Sequence, residues 1–211
     1  KKKIMAKRIL PYRDYSEHDV VNLFSLDTTG KTLSTFVPSS SGDWDAGVVV
    51  SVSAGALPGD IPQLRATAGN NLKDYMGADY GSSHVGHHAY PYNGMTVTPA
   101  GGSGRALGIT LRETLAFDEN GEKMLYYPQK LDEAQGVLPG QTVPVLSKGL
   151  VLLAGSAFSS APSLGDALEV DASNAGQLKT QSSGTVVGSV IAIGEESNDS
   201  TAKKYLCKIS F

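Results

Sequence analysis

The end of the chain alternates. In "YLCKISF", Tyr205, Cys207, Ile209 and Phe211 fall on one side of an extended segment, and Leu206, Lys208 and Ser210 on the other. A period of two marks a half-buried strand. Similar short segments precede it. "GTVVGSVIAIGEE" reads as a strand that Gly188 bends or bulges. "LGDALEVDA" reads as a strand after a Gly165-Asp166 turn, and "NAGQLKTQ" as a short strand with a turn before it. "GQTVPVLSKGLVLLAG" is a strand pair or one bent strand, and "SNDSTAKK" an exposed turn. Val186, Val190, Ile193, Leu152 and Leu168 are expected to face the core. Short strands at this spacing indicate a small barrel or sandwich.

The pattern upstream is weaker. "GVVVSVSAG" predicts a short strand with Val48, Val50 and Val52 alternating. "ALGITLRETLAF" alternates in part. Asn120-Gly121 is a tight-turn signal between two strands, with "MLYYP" returning from it. Pro128 and Gly136 bracket a short helix. "DYSEHDVVNLFSLD" opens like a helix capped by Asp14 or Ser16. Val20, Leu23 and Phe24 share a helical face only briefly, so helix and strand stay open there. The stretch "ATAGNNLKDYMGADYGSSHVGHHAYPYNG" shows neither period, which suits a functional loop or an interaction surface. The fold class is mainly β. The expected organisation is an extended basic arm over 1–13, an irregular β-rich region with long loops over 14–136, and a small C-terminal β-barrel over 137–211.

Composition supports strands. Of 211 residues, 40% are hydrophobic and only 18% charged, fewer than long amphipathic helices require on their outer faces. The single cysteine, Cys207, cannot form an internal disulfide or a zinc ribbon. "GLVLLAGSAF", the most apolar run, is about half the length needed to cross a bilayer. The basic start has no apolar stretch of the kind a secretory signal carries. The net charge of −3 argues against affinity for nucleic acid. Charge is unevenly placed, however. Lys1, Lys2, Lys3, Lys7, Arg8 and Arg13 face no acidic residue in the arm, which leaves the rest of the chain at −9. Such an arm suits docking against an acidic patch on a neighbour. Ile4, Ile9, Leu10 and Tyr12 would be its apolar anchors, able to add a strand to a neighbour's sheet edge.

Candidate chemistry centres on "SSHVGHHAYP". His84, His87 and His88 stand at i, i+3 and i+4, a spacing that converges on a helix. Gly81, Gly86, Pro91 and Gly94 argue against a helix there. A loop could still gather the three around zinc, with Asp74 or Asp79 as a fourth ligand. The competing reading is a subunit contact, with Tyr80, Tyr90 and Tyr92 supplying rigid aromatic area. Asp43 and Asp45 in "DWD" are a polar loop around one tryptophan or a fragment of a calcium site. No G-x-S-x-G elbow occurs, and "GGSG" lacks the Lys-Ser/Thr of a phosphate loop. No catalytic residue, metal ligand or cofactor is therefore expected.

In order, "VLPGQTVPVLSKGLVLLAG", "APSLGDALEVDASNAGQLKT", "SGTVVGSVIAIGEE" and "YLCKISF" resemble the small β-barrel of tailed-bacteriophage capsid decoration (cement) proteins, over roughly 137–211. The preceding "ALGITLRETLAFDENGEKMLYYPQKL" resembles virion structural proteins less specifically. The resemblance implies a non-enzymatic protein on the outer surface of the virion capsid, made in the host cytoplasm, that binds the assembled head and stabilises it. Its partners would be the major capsid protein and copies of itself, often as a homotrimer, with no nucleic acid and no membrane. The residues expected to touch partners are Lys7, Arg8, Tyr12, Arg13, Tyr80, His84, His87, His88, Tyr90 and Tyr92. Two alternatives stand beside this reading. One is a head-fibre or tail structural protein. The other is a metal-dependent hydrolase using the 84–88 histidine cluster. If the histidine loop is a subunit contact, its amides should exchange slowly in the assembly and fast in the isolated protein. Equal hydrogen exchange in both states would exclude that role.

Overall fold

The computed structural model describes residues 8–22, 24–26, 45–55, 95–101, 105–115, 118, 120–138, 141–196 and 199–211. Among the described residues fourteen strands run in chain order. They are β1 (Ile9–Asp14), β2 (Val20–Val21), β3 (Ser25–Leu26), β4 (Val49–Gly55), β5 (Met95–Pro99), β6 (Ala106–Thr110) and β7 (Glu113–Thr114). After helix α1 (Pro128–Glu133) come β8 (Gly136–Val137), β9 (Val145–Leu146), β10 (Lys148–Ala154), β11 (Ala167–Val170), β12 (Leu178–Thr180), β13 (Gly188–Glu196) and β14 (Asp199–Ser210). The protein is mainly β. One six-stranded sheet has the order β1-β10-β14-β13-β11-β12, and a second the order β2-β9-β6-β4-β5-β3. Strands β7 and β8 form a small parallel pair. No helix among the described residues is long and apolar enough to cross a membrane.

The expected closed barrel is not formed. The C-terminal sheet ends in edge strands β1 and β12, and the other sheet in β2 and β3. A single buried cluster instead joins the two sheets. It contains Val49, Ile109 and Leu146 from one, and Ile9, Val151, Leu153, Leu168, Val190, Tyr205, Cys207 and Ile209 from the other. Core residues of the 137–211 segment thus share one cluster with Ile9, Val49 and Ile109. The arm also differs from expectation. From Ile9 onward it is strand β1, antiparallel to β10 of its own chain, and Ile9 is 2% exposed. An apolar side chain in position to complete the chain's own core is not left for a neighbour.

Strand β4 explains the run of valines. Val49 belongs to the shared cluster, while Val48 and Val50 join a second one with Val97, Val143 and Val145. A continuous apolar run is the pattern of a strand buried on both faces. The "VPVLSKGLVLLAG" segment changes sheets at one residue. Ser147 lies between β9 and β10, and its N–H and Oγ both donate to the Asp19 carbonyl at 2.9 and 2.8 Å. Its own carbonyl accepts from Phe211 N at 3.0 Å.

Leu168 and Val190 are buried as expected, at 0% and 2% exposed. Val186 and Ile193 are not, at 49% and 38%, and Leu152 is half-buried. For Leu152 and Val186 the reason is phase, whereas Ile193 pairs with the buried Tyr205 and is still partly exposed. Val151 pairs with Cys207 and Leu153 with Tyr205, so Leu152 points to the opposite face. In the same way Val187, not Val186, turns inward. The β13–β14 ladder slips between Val190 and Ala192, so the bulge lies at Ile191 and not at Gly188. Gly188 serves close approach instead, since a Cβ there would lie 2.6 Å from the Lys208 carbonyl.

The "MLYYP" segment does not return from the Asn120-Gly121 turn as a strand. Asp118 Oδ1 accepts from Asn120 N at 2.8 Å and Glu122 N at 2.7 Å, and the chain then enters a 3-10 turn over Met124–Tyr126. The short helix forms as expected, with Pro128 in its first turn. Gln135, at φ 54, takes the left-handed position after it, so Gly136 is free to begin β8. Near the arm, Ser16 accepts from His18 N at 3.3 Å and caps only a 3-10 turn, after which Val20–Val21 is strand.

These facings are directly testable. Leu168→Ala should cost about 2–5 kcal/mol and lower the thermal midpoint, whereas Leu152→Ala should cost about 1 kcal/mol. Equal losses would put both side chains in the core.

Candidate functional site

Seven of the expected contact residues, Lys7, Tyr80, His84, His87, His88, Tyr90 and Tyr92, lie outside the described residues, as do Asp43, Asp74 and Asp79. Among the described residues, no group of three or more His, Cys, Asp or Glu could hold a metal ion. The other three contact residues are placed. Arg8 turns into its own chain: its Nη1 donates to the Gly176 carbonyl at 3.2 Å, and its Nε lies 4.0 Å from Asp45 Oδ2. Burial raises the pKa of Asp45, and the Arg8 charge opposes that shift. Arg13 also turns inward, donating to the carbonyls of Leu111 at 3.4 Å and Leu10 at 3.5 Å, and to Gln135 Oε1 at 3.4 Å. Tyr12, one residue earlier and on the opposite face of β1, is 52% exposed.

Tyr12 marks one end of a surface. Strands β1, β10, β14 and β13 each bury one face in the shared core, so alternate residues face outward. Leu152 pairs with Leu206, and Leu206 with Ala192, which lays an apolar row across three strands. Leu150 stands beside it, paired with Lys208 and flanked by Asp14 on β1. Lys148 and Lys208 are exposed, and Lys204 is half-buried at the row's other side. The face thus combines aliphatic side chains in the middle with Lys148, Lys204 and Lys208 around them, while the carboxylate residues of these four strands stand at the β1 edge (Asp14) and at the far end of the β13–β14 pair (Glu195, Glu196 and Asp199). The sequence hid part of this face. "KGLVLLA" is apolar at both parities, so its alternation could not be read. "YLCKISF" did place Leu206 and Lys208 on the side away from the core.

The perturbed ionisable groups of the described residues serve the fold. Burial pushes the Glu169 carboxyl up, but the N–H groups of Gly184 (2.5 Å) and Ser182 (3.1 Å), Lys179 Nζ (3.1 Å) and the Ser182 hydroxyl (3.0 Å) outweigh it and hold the pKa at about 2. Asp118 is lowered to about 2, chiefly by its hydrogen bond from Lys130. Asp171 is held well below the usual carboxylate range by the Asn174 amide, Ser159 and Ser173 N. Burial pushes the Cys207 thiol up to about 12, far from a reactive thiolate. The carboxylates among these are turn-holding acceptors, fixed in the charged state.

Neither a protein-family model, nor a curated protein, nor a solved structure matches the chain.

The Glu169 contacts set a pH dependence. Its folded pKa lies below the ordinary value of 4.5, so its contribution is fully present above that pH and is lost as pH falls toward 2. Glu169→Gln should lower the thermal midpoint at pH 7 and flatten its fall between pH 4.5 and 2. Parallel curves for variant and wild type would remove Glu169 from that account.

Proposed function

We propose that the protein is a non-enzymatic virion component that attaches to the outside of an assembled tailed-phage head through the outer face of its C-terminal sheet. The observation that carries this reading is the Leu152–Leu206–Ala192 row with lysines around it. The opposite side of the same strands is core, so the row sits on a stiff platform. An aliphatic centre with a cationic rim suits an acidic, gently curved partner surface, with the charges guiding approach and register. On a head that repeats one surface many times, a modest single contact becomes firm attachment. The order of motifs over 137–211 supports the same reading, with the major capsid protein as partner and copies of the chain, as a homotrimer, binding side by side. Spanning neighbouring capsid subunits would hold the shell against the pressure of packaged DNA. The arm enters this reading in altered form. Its residues from Ile9 onward belong to the chain's own sheet, with Tyr12 still facing outward at one end of the attachment face.

Co-sedimentation with undecorated heads tests the proposal. Leu206→Asp should weaken attachment at least about tenfold, a loss of ~1.4 kcal/mol, while the thermal midpoint stays near that of wild type. Wild-type protein should also detach as salt rises above about 0.15 M, where screening shortens to roughly 8 Å. Failure of the wild-type protein to sediment with heads, or equal decoration by the variant at every salt concentration, would sink the idea.

A further inference from the structure

A second feature lies away from the outer leucine row. A half-open cavity of about 740 Å³ is walled by Arg105 and Ala106 on one side and by Glu169, Lys179, Gly184 and Val187 on the other. Its size is in the range of small-ligand sites. Three charged side chains of the described residues line it. Both oxygens of Glu169 are already engaged: Oε1 by the Ser182 hydroxyl and Lys179, Oε2 by the N–H groups of Ser182, Ser183 and Gly184. That carboxylate has no capacity left for a cation. Lys179 gives one of its three donors to Glu169. Arg105 is exposed and, among the described residues, makes no hydrogen bond or ion pair. Five N–H donors in a planar fork therefore stand unmatched at the cavity wall.

We infer that this cavity receives a carboxylate on a short aliphatic stem, with Arg105 gripping it bidentately and Lys179 as the second cation. Among the described residues the lining carries a net charge of +1, from Arg105, Lys179 and Glu169. One negative charge balances it, whereas a phosphate dianion would be set against Glu169. The guanidinium fork matches the two oxygens of a carboxylate. Ala106, Val170 and Val187 supply an apolar wall for the stem. The carboxylate could belong to a free acid or to an acidic side chain of a protein. The inference does not rest on attachment to a head.

The test is amide NMR on the full chain, titrated with propionate and, separately, with N-acetyl-aspartate amide, using sodium chloride to match ionic strength. A saturable shift at Ser183, Gly184 and Thr185 is expected in the millimolar range, with chloride producing none. Stronger binding of the aspartate probe would assign the site to a protein side chain, and stronger binding of propionate to a free acid. Arg105→Ala should abolish saturation. Arg105→Lys, which keeps the charge and loses the fork, should weaken binding several-fold. Among the described residues Arg105 makes no hydrogen bond or ion pair, so both variants should keep the wild-type spectrum elsewhere. No saturable shift with either probe, or a shift that survives Arg105→Ala, would overturn the assignment.

Discussion

The two sheets are locked together at one residue, Gly176. The N–H of Gly176, in the turn before β12, donates to the Ala100 carbonyl at 2.8 Å, and its carbonyl accepts from Val49 N at 3.1 Å and Arg8 Nη1 at 3.2 Å. A turn of the C-terminal sheet is thereby spliced into the other sheet, and the start of β1 is tied to both. Buried backbone groups must be paired, so this junction admits little variation. It also requires glycine. At φ +81 a Cβ would stand 2.6 Å from Val48 Cγ1. Thr110 completes the junction: its carbonyl accepts from Gly47 N at 2.7 Å, and its hydroxyl bonds both Val48 N and the Asp45 carbonyl.

Much else follows from that lock. With the sheets joined there, Val49 and Ile109 face Leu153, Leu168 and Ile209 in one core, and the C-terminal strands have only one face left to present outward. Arg8 and Arg13 then act as fasteners of β1. Their positive charges, which in sequence suggest an outward-reaching arm, are spent on carbonyls of the same chain. The surface chemistry passes to Tyr12 and to the lysines of β10 and β14.

The fold class was legible because alternation survives wherever one face is wet. "YLCKISF" and "LGDALEVDA" show it, and Tyr205, Cys207, Ile209 and Leu168 are core as their pattern demands. Alternation fails where both parities are apolar. In "GLVLLAG" only the register with β14 decides that Val151 and Leu153 go in and Leu152 out. Across the bulge at Ile191, Ile193 pairs with the buried Tyr205 and takes the inward side, yet it stays 38% exposed, so facing alone does not make it core. Sheet membership was equally hidden. No local signal says that β9 and β10, one residue apart, belong to different sheets, because the cause is the distant Asp19 carbonyl that holds Ser147. The unmatched Arg105 beside Glu169 and Lys179 was invisible for the same reason, since it depends on a meeting of segments far apart in sequence.

The strand order has a kinetic consequence. β10 lies between β1, the first strand of the chain, and β14, the last of the fourteen. Ile9 must wait for Leu153, and Leu152 must wait for Leu206. Pairings of such long sequence separation form late and slowly. During synthesis, the emerging chain holds β1 and β10 before the partner that fixes their facing exists. The leucine row is assembled only when β14 docks, so a chain broken anywhere before that strand cannot display it. Display of the row thus depends on the completed pairing of β10, β13 and β14, and not on any one of these strands by itself.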